Sequence, residues 1–271
     1  MRLQNEIIGS KIFDRLRHER PSDFSEYINN KLHVVGGNTT FDNLGLSVDD
    51  AARLQAKVNV VINSTANVSW DNDLREKLNA NSVCAMNALK FSERCQNLRC
   101  HVHVSSAYVN SNQRNVQVHE KLYPLDFDVD SKFREIANAS PEESEKLAHN
   151  ILSSGYPNMC TFTKSMAEHL VAAHADKKSI LLVIFRPTTI GAAWKDPVPR
   201  WVDQVMALGA IVRRRARGHG GQQFADQIDV FDDSDEWWHS VGGITWGDYI
   251  NNYCGGLQQF AIRDKTPKAK L

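Results

Sequence analysis

Several absences frame the 271-residue sequence. Its five cysteines, Cys84, Cys95, Cys100, Cys160 and Cys254, include no CxxC pair, so neither a zinc cluster nor a disulfide framework is expected. Reduced thiols packed into a core are the plainer reading. No two histidines stand at HxxxH or HExxH spacing, which argues against a metal. No window approaches the roughly 18 apolar residues of a transmembrane helix; the longest run, Ile180 to Phe185, is of strand length. The N-terminal MRLQNEIIGSK is mixed polar without an apolar stretch, so no secretory signal is expected and the chain reads as soluble and cytoplasmic. Charge of one sign is not in excess either. With 32 basic and 32 acidic residues, nothing favours nucleic acid or a strongly anionic surface, and a partner must be recognised locally.

What is present alternates. Leu3 to Arg17 carries apolar residues at helical spacing and predicts an amphipathic helix. KLHVVGG (31–37) predicts a short strand ended by two glycines, and Ser47 a helix cap with Asp50 in the first turn. NVVIN (59–63), CHVHVSS (100–106) and ILLVIFRP (180–187) read as buried strands. Between them lie helices over Leu74 to Arg94 and Thr161 to Ala175. Residues 111–150 are polar and irregular with helical stretches, an insertion near a cleft mouth. Continuous apolar strands alternating with helices predict an α/β fold built on a parallel sheet covered on both faces. After about residue 212 the pattern degrades, and residues 206–271 are expected to form a divergent, irregular extension. The Arg213 to Arg217 run within them reads as wet surface.

In doubly wound sheets, ligands bind beyond the carboxyl ends of the strands. Three such ends carry small or hydroxyl residues: Asn63-Ser-Thr-Ala-Asn, Val104-Ser-Ser-Ala-Tyr and Arg186-Pro-Thr-Thr-Ile-Gly. YPNMCTFTKSMAEHL (156–170) lies between the second and third. Trp194 and Trp201 read as packing anchors.

The order of these segments resembles the extended short-chain dehydrogenase/reductase superfamily and, within it, the fatty acyl-CoA reductases. The resemblance rests on NLGLS (43–47), VVINSTANVSW (60–70), LREKLNAN (74–81), HVSSAYVN (103–110), the YPNMCTFTKSMAEHL segment and RPTTIGAAWKDPVPRWVD (186–203). It spans residues 1–205, which are expected to form a partial Rossmann-like NAD(P)-binding reductase domain. The resemblance implies reduction of a long-chain acyl-CoA thioester to fatty alcohol or aldehyde with NADPH. It implies roles for Ser106 in polarising the carbonyl, for Lys164 at the nicotinamide ribose, and for Asn81 in organising the site. Ser64, Thr65, Ala66, Arg186, Pro187, Thr188 and Gly191 would line the cofactor. The lipidic substrate is compatible with peripheral association with a membrane surface, although no element anchors the chain.

Three departures stand against that frame. The family's tyrosine, four residues before the lysine, is Cys160 here. A thiol, with a reference pKa of about 8.5 against about 10 for a phenol, is also several ångströms shorter, and reaches a substrate oxygen only through water. Tyr156 is a poor substitute, eight residues before Lys164 with Pro157 intervening. Second, neither GxGxxG nor GxxGxxG occurs, and Asn38 follows Gly36-Gly37 where the family has an Asp. The first βαβ unit is therefore expected to be missing, as in a truncated product, a fragment or a decayed copy. Third, the family's substrate region is not recognisable after residue 205. The rival reading is a non-catalytic remnant that binds acyl-CoA or a protein partner. Two others are a reductase of nucleotide sugars or steroids, and Cys160 as a nucleophile that takes the acyl group.

Overall fold

The computed structural model describes residues 3–67, 73–113, 116–202 and Tyr253. Contacts divide the chain into two compact units, one of residues 34–188 and one of residues 1–33 with 189–271.

The unit of residues 34–188 is built on three parallel strands, β1 (Val60–Asn63), β2 (Cys100–Val104) and β3 (Leu182–Phe185), in the order β1-β2-β3. Ile62 pairs with Val102 and Val102 with Val183, so side chains alternate between faces in step across the sheet. Parallel neighbours need long crossovers. The first is α4 (Leu74–Lys77), one π-helical turn (Leu78–Val83) and α5 (Cys84–Glu93). The second is a 3-10 turn (Ala107–Asn110), α6 (Val129–Asn138), α7 (Pro141–Ser153) and α8 (Met159–Lys177). A further helix, α3 (Val48–Lys57), precedes β1, and the Ser47 hydroxyl accepts from the Asp50 amide as its spacing predicts.

Helices α5 and α8 meet through Ala85, Leu89, Ala167, Val171 and Ala175, with Leu182 of β3 packed against them. On their far side α8 closes a second cluster, in which Leu74, Leu78, Ile136, Ile151, Tyr156, Met159, Phe162 and Met166 are buried. Helix α8 is thus the hub of both cores, which explains why its apolar residues do not fall on a single stripe. The face of the sheet turned toward these helices carries Asn63, His101 and His103, all buried. The other face carries Val60, Ile62, Val183 and Phe185, all exposed. The chain is α/β, with helical cover on one face of the sheet among the described residues.

Two expected elements differ. The helix over Leu3 to Arg17 is broken into a π turn (Leu3–Ile8), a 3-10 turn (Lys11–Phe13) and α1 (Asp14–Glu19). Ser10 takes an extended backbone and its hydroxyl caps the Ile7 carbonyl, so Gly9-Ser10 cuts the helix where its apolar spacing would have continued it. The strand over residues 31–37 does not form: α2 (Phe24–Lys31) runs through Lys31, and residues 32–38 have no strand partner. Val34 accordingly stays 73% exposed. The glycine pair instead serves a tight loop. The Asn38 amide donates to the Leu44 carbonyl, and a Cβ on Gly37 would lie 2.6 Å from that oxygen. Trp194, 38% exposed, is a partial anchor at best.

No helix among the described residues is long and apolar enough to cross a membrane. The extension after residue 205, with Arg213 to Arg217 and Cys254, lies outside the described residues apart from Tyr253.

Candidate active site

The Asn158 side chain caps α8 by accepting the Thr161 amide at 2.9 Å, which fixes where the helix starts. Cys160 and Lys164 then stand one turn apart on one side of its first two turns. Lys164 is buried, and its ammonium donates to the carbonyl of Val104, the last residue of β2, at 3.2 Å. Burial lowers the pKa of Lys164 from its ordinary value, while Cys160 and Glu168 act in the opposite direction. The lysine is therefore held at a strand end, where a ligand of such a sheet would sit.

Asn81 stands in the π turn and is buried. Its Oδ1 accepts the Asn67 amide at 3.0 Å, and its Nδ2 donates to Thr163 Oγ1 at 3.0 Å and more weakly to Cys160 Sγ at 3.9 Å. The thiol of Cys160 donates to the Asn67 carbonyl at 3.5 Å. Asn67 is also held by its side chain, which accepts from the Lys77 ammonium at 2.9 Å and donates to Glu76. Lysine 77 itself is fully buried. The loop leaving β1 is thus pinned, at one residue, to α4, the π turn and α8 together.

The hydroxyl oxygen of Ser106 accepts the Tyr108 amide at 3.2 Å, which leaves the hydroxyl proton free for another acceptor. Ser106 lies two residues beyond Val104, the residue Lys164 grips. Close by in sequence, Ser105 Oγ, Asn110 Nδ2 and Ser111 Oγ are buried without a partner among the described residues, as is His103 Nε2 inside the sheet. The His103 ring takes Asn63 Nδ2 at Nδ1, at 3.3 Å. Burial, with smaller contributions from Lys164 and His101, pushes its pKa down to about 3.

Of the cofactor-lining candidates, Ser64 and Ala66 are exposed at the end of β1, with Thr65 donating its amide to Asn63 Oδ1 at 3.2 Å. The Pro187 carbonyl accepts the Ala107 amide at 2.9 Å, which draws the ends of β2 and β3 together; Thr188 is exposed beside it. Gly191 belongs to the other unit. Arg186 is committed elsewhere. Its Nε and Nη2 reach the buried carboxylate of Glu168 at 2.8 and 2.6 Å, and both terminal nitrogens reach the Lys121 carbonyl at 3.1 Å. A guanidinium so placed braces β3, α8 and the loop at Lys121. Tyr156 is a core residue, its ring edge-on to Phe162 and its hydroxyl donating to Ser165. It offers no substitute for the phenol that position 160 lacks.

The arrangement brings together Asn81, Cys160, Lys164 and the β1 loop, with Ser106 at the adjoining strand end. It also shows three participants that their spacing alone does not declare. Asn67 is one small polar residue among several. Thr163 reads as helix filler. Lys77 is the most legible, because it lies four residues before Asn81 and so shares its helical face.

The residues fit the nicotinamide and ribose end of a dinucleotide: small exposed groups at one strand end, a free hydroxyl proton at the next, a buried ammonium and unpaired buried polar atoms. For the pyrophosphate, no glycine-rich turn is present in the sequence and Arg186 is already paired. No group of three or more His, Cys, Asp or Glu capable of holding a metal occurs among the described residues.

The NAD-binding family described as "Male sterility protein" matches residues 1–232. Fatty acyl-CoA reductase 1 of Mus musculus is 30% identical over 201 residues, covering 73% of this chain and 36% of that protein. The alcohol-forming fatty acyl-CoA reductase of Simmondsia chinensis is 31% identical over 234 residues, covering 78% and 47% respectively. Fatty acyl-CoA reductase 2, chloroplastic, of Arabidopsis thaliana is 27% identical over 242 residues, covering 80% and 39%. The chain therefore spans between about a third and a half of the length of these relatives. Among solved structures, the terminal R domain from the myxalamid PKS-NRPS biosynthetic pathway is similar at 18% identity with a TM-score of 0.46, covering 62% of this chain and 35% of that one.

Proposed function

The chain belongs to the male sterility protein family of NAD-binding domains, and from that premise we propose that it forms the hydride-transfer site of an NADPH-dependent fatty acyl-CoA reductase. The relatives named above support the substrate class, a long-chain acyl-CoA thioester. The observation that carries the reading is the placement of Lys164, buried at the end of β2, one helical turn from Cys160 and beside the strand end that bears Ser106.

The bound cofactor supplies hydride, and the residues of this chain bind, orient and manage protons. As the thioester carbonyl is reduced, negative charge develops on its oxygen and must be met by donors already in place. The Ser106 hydroxyl has that proton to give, because its oxygen already accepts the Tyr108 amide. The ammonium of Lys164, anchored to Val104, supplies positive charge and donors for the ribose hydroxyls. Asn81 holds the β1 loop against α8. Cleavage releases CoA as the thiol and leaves an aldehyde, which a second reduction converts to the alcohol.

The weak link is the proton donor. The Cys160 thiol is short, and its proton is turned toward the Asn67 carbonyl. That contact favours a second reading, a domain that binds its ligands and turns over slowly or not at all. Cys160→Tyr separates the two. With palmitoyl-CoA as substrate, followed by loss of NADPH absorbance, the variant should exceed the unmodified protein by about a hundredfold or more, the usual worth of a positioned general acid. A variant no faster than its parent, though folded and able to bind NADPH, would assign the chain to the binding-only reading.

A further inference from the structure

We propose that Thr163 is a positioning residue, whose hydroxyl sets the orientation of the Asn81 amide and, through it, the placement of the Asn67 backbone beyond β1, on the cofactor side of the site. Thr163 is completely buried on α8, next to Lys164. Its hydroxyl gives its own proton to the Met159 carbonyl at 2.8 Å, so the oxygen is left as an acceptor and takes Asn81 Nδ2 at 3.0 Å. An asparagine amide can turn over and exchange its oxygen for its nitrogen. Here a turn would set the NH2 against the Asn67 amide, donor against donor, and Oδ1 against the Thr163 oxygen, acceptor against acceptor. The Thr163 oxygen requires the NH2 on the α8 side, and that leaves Oδ1 for the Asn67 amide.

A second stitch acts at the same residue. The Ser82 hydroxyl, also fully buried, donates to the Thr163 carbonyl at 2.8 Å. Consecutive residues of a regular α-helix point about 100° apart, yet Asn81 and Ser82 both reach Thr163. They do so from the π-helical turn Leu78–Val83, a widening of the helix that recurs at functional sites. The π turn, Thr163 and the β1 loop thus form one chain of contacts, Thr163 to Asn81 to Asn67, that ends at the carbonyl gripped by Cys160.

The consequence for NADPH binding rests on the proposed reductase reading; the consequence for Asn67 does not. Thr163→Val keeps the branched shape and removes only the hydroxyl, leaving the buried Asn81 NH2 without its acceptor. Thr163→Ser restores it. The test is hydrogen exchange of the Asn67 amide, read against the Ile62 amide in β1, together with titration of each variant with NADPH. Thr163→Val should speed exchange at Asn67 about tenfold while Ile62 is unchanged, and weaken NADPH by a similar factor; Thr163→Ser should return both to the parent values. A merely structural role would lower the thermal midpoint and speed both amides equally, and that outcome overturns the proposal. Exchange at Asn67 that changes as expected in a protein that never binds NADPH would uphold the positioning role and refute the reductase reading. If Thr163→Val fails to accumulate in folded form, Thr163→Ala, smaller and equally without the hydroxyl, is compared with Thr163→Ser under the same two readouts.

Discussion

The Glu168–Arg186 pair makes the sharpest demand on stability. Glu168 is 1% exposed on α8, and Arg186, just beyond β3, meets it through two nitrogens at 2.6 and 2.8 Å. Glu168→Ala would leave a mostly buried guanidinium with the Lys121 carbonyl as its one remaining partner of those it now holds. Breaking a buried pair by removing one member costs about 3–5 kcal/mol, because a charge is stranded away from water. For a chain of this size each kcal/mol moves the thermal midpoint by about 2–4 °C, so a fall of roughly 6–20 °C is expected by calorimetry. The double variant Glu168→Met, Arg186→Met should recover most of that loss, since desolvation then costs nothing. The hydrogen bond to Glu168 raises the pKa of Arg186. A raised cation contributes stability that is complete below its unfolded pKa and is lost only as pH rises through the folded one, both far into alkali. The deficit of Glu168→Ala should therefore be constant across neutral pH. A loss of under about 1 kcal/mol, or a double variant as weak as the sum of its parts, would refute the argument.

Acid should act through the sheet instead. Burial lowers His101 to about 4 and His103 to about 3. A group depressed in the folded state contributes stability that is full above its ordinary value and is lost as pH falls toward the folded value. Urea unfolding should thus show a loss of about 2 kcal/mol per histidine between pH 7 and pH 5, and His103→Gln should remove its share of that slope. At the surface, Ser140 caps α7 through a reciprocal box with Glu143, so Ser140→Ala should cost about 1 kcal/mol in the same assay and leave cofactor binding untouched.

The parts of the fold that were legible were those where one local signal sufficed. The apolar runs at 60–63, 100–104 and 182–185 do pair as strands, although helices cover only one face of them among the described residues, and the helix expected over Thr161 to Ala175 forms as α8, two residues longer at each end. The run at 31–37 carries the same local signal, but a strand exists only where an edge is available to pair with it, and that information is not local. Gly9-Ser10 shows the converse, a short polar break overriding a helical period. In the site, Asn81, Cys160 and Lys164 were found by motif and do come together. Arg186 was expected to face a cofactor, but its partner Glu168 lies 18 residues away in sequence, with half of α8, a turn and β3 between them, so the ion pair was invisible until the chain was folded. Asn67 and Thr163 matter through which of their atoms are satisfied, a property no residue type announces.

The central claim is that Lys164, at the end of β2, forms part of a nicotinamide site. Its most direct test is titration of the protein with NADPH, followed by quenching of its six tryptophans, beside the same titration of Lys164→Met. Saturable quenching in the parent, weakened about tenfold or more in the variant, is the expected result, since a charged hydrogen-bond donor is lost from the ribose. Failure of the folded parent to saturate, or identical curves for the two proteins, would contradict it.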